Sequence, residues 1–248
     1  TLEHTEKIRV GSGGIMLPNH APLVVAEQFG TMATIYPNRV DLGLGRAPGT
    51  DMLTASALRR SKNDSLYTFP EDVQSLLTYF GPEERQGHVK AYPGVGTNVP
   101  IYILGSSTDS AYLAAKLGLP YAFASHFAPQ QMEMAIAIYR EKFQPSEYLD
   151  QPYMMVCLNV IATETDEEAR LELTTMQQFF LNVVRGKSSP LQPPVESMDN
   201  IWMPHEKEAS LSMSRLTFMG SKETVRNQYH RFQEAYNVDE IMVVSYIF

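Results

Sequence analysis

The chain has 248 residues, 44% of them hydrophobic and 19% charged, with a formal net charge of −8. That length suits one (β/α) barrel or two small domains, and the apolar share is enough for a real core. An acidic chain with no Lys/Arg block offers no concentrated basic face, and no apolar run reaches bilayer length, so neither a nucleic acid nor a membrane is expected as a partner.

In chain order, strand and helix alternate. Residues 7–11 read as a short strand ended by glycines, residues 22–36 have helical spacing, and residues 39–45 read as a second strand. Residues 70–80 open on Pro70 and repeat Val73, Leu76, Leu77 and Phe80 at helical spacing. A third strand covers 100–104, a helix 107–117 closes at Gly118, a fourth strand covers 119–125 and a helix 130–143. The fifth strand, 153–162, precedes a long helix over 166–184, whose acidic run 164–172 reads as solvated first turns. A helix over 221–236 takes Ser221 as its N-cap, and a sixth strand covers 240–246. The strands are apolar runs rather than alternating ones, so both faces are covered, and βα alternation implies a parallel sheet. Six such strands fit an open doubly wound sheet or part of a barrel. Residues 185–214, with Pro190, Pro193, Pro194 and Pro204, have no period and read as an irregular, lid-like insertion.

Three clusters at strand ends carry the candidate chemistry. Gly11-Ser12-Gly13-Gly14 permits a turn, and its spacing is not the dinucleotide fingerprint. Gly43-Leu44-Gly45-Arg46-Ala47-Pro48-Gly49 lets a ligand approach the backbone; Arg46 is either a planar fork for a phosphate or a surface arginine on a turn. Gly105-Ser106-Ser107-Thr108-Asp109-Ser110 holds more hydroxyls than one N-cap needs, at a helix start that favours an anion. Ligands of parallel α/β folds gather at such strand ends. The six histidines lack metal-ligand spacing, so no metal is expected. His126, after the fourth strand, is placed like a site residue, or equally like a histidine lining a barrel mouth. Cys157, the single cysteine, lies in the apolar run 154–161 and reads as a buried, inert thiol; with no hydrophobic signal segment over 1–7, a cytoplasmic setting is expected.

Taken together, residues 11–22, Ala26-Glu27-Gln28-Phe29-Gly30 and 41–51 resemble the luciferase-like flavin monooxygenases, in the subgroup with a Gly-Leu-Gly-Arg-Ala-Pro-Gly signature. Leu104-Gly105-Ser106-Ser107, residues 113–120 and residues 219–225 continue the match along the chain. The resemblance implies a TIM-type (β/α)8 barrel, of which residues 1–248 would supply strands 3 to 8 as a single domain, without the first two βα units and the final helix. It implies an FMN-dependent monooxygenase, using reduced FMN from a flavin reductase and O2 on a small organic substrate, and a homodimer. By the same resemblance, Gly13 and Gly14 lie against the isoalloxazine, often through a cis peptide. Arg46 reaches the flavin phosphate, Gly105, Ser106, Ser107 and Ser110 form the rest of the phosphate site, and Ala124 and Ser125 lie near the ring. The family's catalytic histidine belongs to a segment upstream of Thr1, which leaves His126 as the candidate present. Two alternatives stay open: a deazaflavin-dependent oxidoreductase, and a flavin-binding protein without turnover.

Overall fold

The computed structural model describes residues 1–47, 49–50, 52–58 and 68–248. They form two compact units, Thr1–Gly105 with Tyr112–Tyr121 and Lys142–Pro152, and Ser106–Ala111 with Ala122–Glu141 and Tyr153–Phe248.

The first unit is built on three parallel strands in the order β1 (Val10–Met16), β2 (Val40–Gly45) and β3 (Ile101–Gly105). β2 is central, with Val10 opposite Val40 on one side and Leu42 opposite Ile101 on the other. Flanked on both edges, β2 buries Val40, Leu42 and Leu44. Helix α1 (Pro22–Ile35) starts on a proline, whose missing N–H costs nothing in a first turn, and buries Val25, Ala26, Phe29 and Ala33. It packs on α3 (Phe69–Phe80), which buries Val73, Leu76, Leu77 and Phe80; α2 (Met52–Leu58) lies between them in sequence. The stop after α4 (Thr108–Leu117) is the expected one. Gly118 has φ +62°, and the N–H of Leu119 reaches back to the carbonyl of Ala114 at 3.1 Å.

In the second unit the short strand β4 (Tyr121–Phe123) leads to α5 (Met132–Lys142) and then to β5 (Met154–Thr163). All eight residues from Met154 to Ile161 are buried. Helix α6 (Asp166–Val184) begins with a capping box in which Thr165 and Glu168 satisfy each other's backbone N–H groups. It lays Ala169, Met176 and Phe180 on Ile161 of β5, with Leu173, Phe179 and Tyr246 around them. Burial of each large side chain of this kind stabilises by about 1.5–3 kcal/mol. Helix α7 (Pro204–Met213), strand β6 (Thr217–Ser221), helix α8 (Lys222–Tyr236) and strand β7 (Glu240–Val244) follow. β5 pairs with β7 over Met155 to Asn159 and with β6 over Asn159 to Thr163, both in parallel. The fold class is therefore α/β with parallel strands, as the alternation requires.

Four expectations change. β1 occupies 10–16 rather than 7–11, so the glycines lie inside the strand instead of ending it, because pairing with β2 overrides their weak strand preference. β6 raises the strand count among the described residues to seven; a Thr-Phe-Met-Gly-Ser pentapeptide carries no apolar run, and its ladder with β5 is what makes it a strand. The segment 185–214 is not irregular throughout, since α7 fills its end, hidden in sequence because Ser210 is the residue it buries. The rest is strapped along one face of α6. Thr174 accepts from the N–H of Val195 at 2.8 Å, Thr175 donates to the carbonyl of Gln192 at 2.9 Å, and Gln178 donates to that of Pro193 at 2.9 Å. Arg185 grips Glu206 with two nitrogens, at 2.7 and 2.8 Å, and holds its carboxyl down to about 2. Nor is the acidic run at the start of α6 simply solvated: Asp166 accepts from the N–H of Ser221 at 2.6 Å and from the Thr224 hydroxyl at 3.1 Å, tying the first turn of α6 to that of α8.

Candidate functional site

In the first unit the glycine clusters meet across β1 and β2. Ser12 stands opposite Leu42 and Ile15 opposite Leu44, so two residues of β1, Gly13 and Gly14, face the single Gly43 of β2. Two against one is a bulge, unusual between parallel strands. The peptide bond inside it, Gly13–Gly14, is cis. Gly43 must be glycine: a Cβ there would lie 2.2 Å from the carbonyl oxygen of Ser12 and 2.8 Å from the Leu104 side chain. Gly14 is confined likewise, since its Cβ would stand 2.7 Å from the Gly43 oxygen. Gly13 differs. A Cβ on it would meet nothing within 4 Å, and its φ lies outside the left-handed region. Among the described residues, nothing beyond its chain neighbours calls for glycine at position 13, whereas a flat ligand lying on the exposed backbone would.

The side chain that organises this bulge is Ser12. Its hydroxyl donates to the carbonyl of Gly43 at 2.9 Å and accepts the N–H of the same residue at 3.1 Å, so one oxygen serves both backbone groups that the bulge leaves off the ladder. Ser12 was not singled out from sequence; the available signal was that it is the one side chain among three glycines. Arg46 follows the last residue of β2 and is exposed, while Pro48 and Asp51 of the same motif lie outside the described residues. Gly105 ends β3 and is half-buried.

In the second unit, Ser106, Ser107 and Ser110 are half-buried at the start of α4. The N–H of Thr108 donates to Oε1 of Gln131 at 3.2 Å, so this helix start already receives an electron-rich oxygen, as an anion site would. The hydroxyl of Ser110 donates to the carbonyl of Ser107 at 2.7 Å, which commits its proton within the turn.

The strand ends of β4 and β5 form a separate polar group. Ala124 is half-buried, whereas Ser125 is fully buried and donates its hydroxyl to the carbonyl of Cys157. Cys157 is buried, and desolvation pushes its thiol up to about 12, which keeps it a protonated, inert group. His126 stands edge-on to Phe127, with ring centroids 4.7 Å apart, and burial holds its pKa below the ordinary histidine value. Asn159 of β5, a polar residue in an otherwise apolar run, donates its amide to the carbonyl of His126. Nδ1 of His126 and Oδ1 of Asn159 are buried without a hydrogen-bond partner among the described residues. Such groups normally find one, so the pair marks a polar demand in the second unit. An open groove of about 610 Å³ along α6, lined by Gln178, Asn182, Arg185 and Lys187 among others, shares no residue with these clusters.

Comparison with known proteins identifies the family. Residues 1–237 match the profile of the luciferase-like monooxygenases. The chain is 51% identical to the YddN protein of Bacillus subtilis over 247 residues, which is all of this chain and 73% of that one. It is 46% identical to a luciferase-like monooxygenase of Escherichia coli, covering 99% of this chain and 73% of the relative. Among solved structures, apo-MsnO8 superposes with a TM-score of 0.84 at 31% identity, over 99% of this chain and 74% of that one. The fold is also shared, at 15% identity, by an FMN complex of the oxygenating component of 3,6-diketocamphane monooxygenase from Pseudomonas putida (TM-score 0.64; 97% of this chain, 74% of that one). An F420-dependent secondary alcohol dehydrogenase shares it at the same identity (TM-score 0.67; 98% and 76%). This chain therefore has the α/β fold of these proteins, and it belongs to the luciferase-like monooxygenase family.

Proposed function

We propose that this protein is an FMN-dependent monooxygenase that uses reduced flavin and O2 on a small organic substrate. The observation that carries the reading is Gly13, which is exposed on a pinned backbone with the place of its missing Cβ empty to 4 Å. A planar ring fits such a surface, and both neighbours in the bulge are closed to side chains by protein atoms, as a fixed platform requires.

Bound reduced flavin would supply the electrons for oxygen activation, and the protein supplies position and dryness. Gly13 and Gly14 would support the ring; Ser125, expected near it, is fully buried with its hydroxyl committed to the carbonyl of Cys157 and so is closed to a ligand, while Ala124 beside it is half-buried. Arg46 would pair with the phosphate through its guanidinium fork, and Gly105 would offer its backbone at the end of β3; in the second unit, Ser106 and Ser107 carry hydroxyl donors of the kind a phosphate takes. Ser110 contributes there by fixing the carbonyl of Ser107 rather than by donating outward. His126, held neutral by burial, would hydrogen-bond a substrate atom together with Asn159 rather than present a fixed positive charge. A flavin reductase would deliver the cofactor, and a homodimer is the expected assembly. If the strap over residues 185–203 acts as a lid, it must first release its bonds to α6.

Titration of the complete protein with FMN, followed by quenching of flavin fluorescence, tests this. Arg46→Ala is expected to weaken binding by more than about 1.5 kcal/mol, roughly tenfold, as for a lost charge-assisted contact; unchanged affinity removes Arg46 from the site. Tight flavin binding with no substrate-stimulated, reductase-coupled oxygen uptake would favour a flavin carrier. Preference for a deazaflavin over FMN would change the cofactor and remove oxygen from the reaction.

A further inference from the structure

We infer that Ser12 is a positioning residue for the flavin ring, because its hydroxyl fixes the backbone of Gly13 and Gly14 against Gly43. This rests on the flavin reading above and adds to it a residue that touches no ligand.

Glycine has more backbone freedom than any other residue, so two in succession make a poor rigid surface unless something outside them restrains both ends. Past the bulge, Ile15 rejoins the ladder opposite Leu44 and holds that end. Before it, the restraint is Ser12, which pairs with Leu42 through its backbone and with both polar groups of Gly43 through its side chain. A hydroxyl can do this because it donates and accepts at one atom. Alanine can do neither, and Gly43 would then have to find other partners for its N–H and carbonyl. Packing gives Gly13 no support, since among the described residues nothing beyond its chain neighbours lies within 4 Å of its Cβ position, whereas Gly14 meets the Gly43 carbonyl and the Leu104 side chain. The leading end of the platform, at Gly13, is thus held by one side-chain oxygen, and the cost of losing it falls on whatever rests on the glycines.

The test compares Ser12→Ala, Ser12→Thr and Arg46→Ala in the complete protein, titrated with FMN and with riboflavin, which has the same ring and no phosphate. Ser12→Ala is expected to weaken both ligands by a similar factor, on the order of tenfold, and to raise hydrogen exchange in a peptide covering residues 40–45. Ser12→Thr, which keeps the hydroxyl, restores both. Arg46→Ala weakens FMN and leaves riboflavin unchanged. Wild-type affinity for both ligands in Ser12→Ala overturns the inference, as does a loss confined to FMN, which would place Ser12 in the phosphate site. If the wild-type protein binds neither ligand, the flavin reading itself falls and takes this one with it. Should Ser12→Ala not fold, Ser12→Cys retains the size with a weak donor and acceptor; wild-type affinity for riboflavin in that variant also overturns the inference.

Discussion

β1 and β5 are each the strand that carries the candidate chemistry of its own unit, and they are made in opposite ways. β5 runs for ten residues and buries eight in succession, and two further strands pair with it in regular register. β1 has seven residues, three of them glycine and none buried, and its ladder breaks in the middle. β5 draws its stability from side chains and spends one position, Asn159, on a polar group. β1 contributes backbone, and what rigidity it has comes from β2 and from one hydroxyl. A strand that must present bare peptide to a ligand cannot also bury a row of side chains, so its neighbour has to hold it in place.

That contrast can be broken by substitution, beginning where the effect is largest. Phe180→Ala, in the cluster that α6 lays on β5, is expected to cost about 3–5 kcal/mol in urea unfolding with flavin affinity of the folded fraction retained; a loss under about 1 kcal/mol would deny β5 its supporting role. Gly43→Ala places a methyl group 2.2 Å from a backbone oxygen that cannot yield, so a cost of at least about 1–3 kcal/mol is expected together with weakened flavin binding. Wild-type stability in that variant would mean that the bulge is looser than its geometry implies.

A smaller effect concerns the polar position beside β5. His126 has a pKa lowered by burial, so in the native state it stays neutral while the unfolded chain takes up a proton. Its contribution is therefore destabilising on the acid side: melting temperature should fall as pH drops through the ordinary histidine value and continue to fall until the native group titrates. His126→Gln should flatten that slope between pH about 7 and 5, and an unchanged slope would exclude His126 as its source. The smallest expected effect is the most informative about β1. Gly13→Ala should leave stability within about 0.5 kcal/mol, since among the described residues nothing beyond its chain neighbours lies within 4 Å of the added carbon, yet reduce flavin affinity. A variant that binds flavin normally would show that the open face at Gly13 is not where the ring rests.

Much of the fold was readable before any coordinates. α6 runs over the residues 166–184 that its pattern gives it, Gly118 closes α4, and Ser221 caps α8. These are local matters: a cap needs a side chain within one turn, and a helix face needs spacing of three to four residues. The family, too, was legible, because its motifs are short runs of glycine, arginine and serine whose identities are fixed by backbone space and charge. β6 was not, since five residues without an apolar run become a strand through pairing with β5 alone.

The site divides along the same line. Sequence alone determined that Gly13, Gly14 and Gly43 are small and that Arg46 is a cation after a strand. Tertiary structure decided that the first two oppose the third across a bulge, that Gly14 and Gly43 are glycines for the protein's own packing while Gly13 is not, and that Ser12 holds them. It also decided that Ser125 is sealed away on the carbonyl of Cys157, and that Asn159, unremarkable in its apolar run, meets His126. The physical reason is that residue type fixes what an atom can donate, accept or exclude, whereas its partner is chosen by chain segments about thirty residues away, which only pairing brings together.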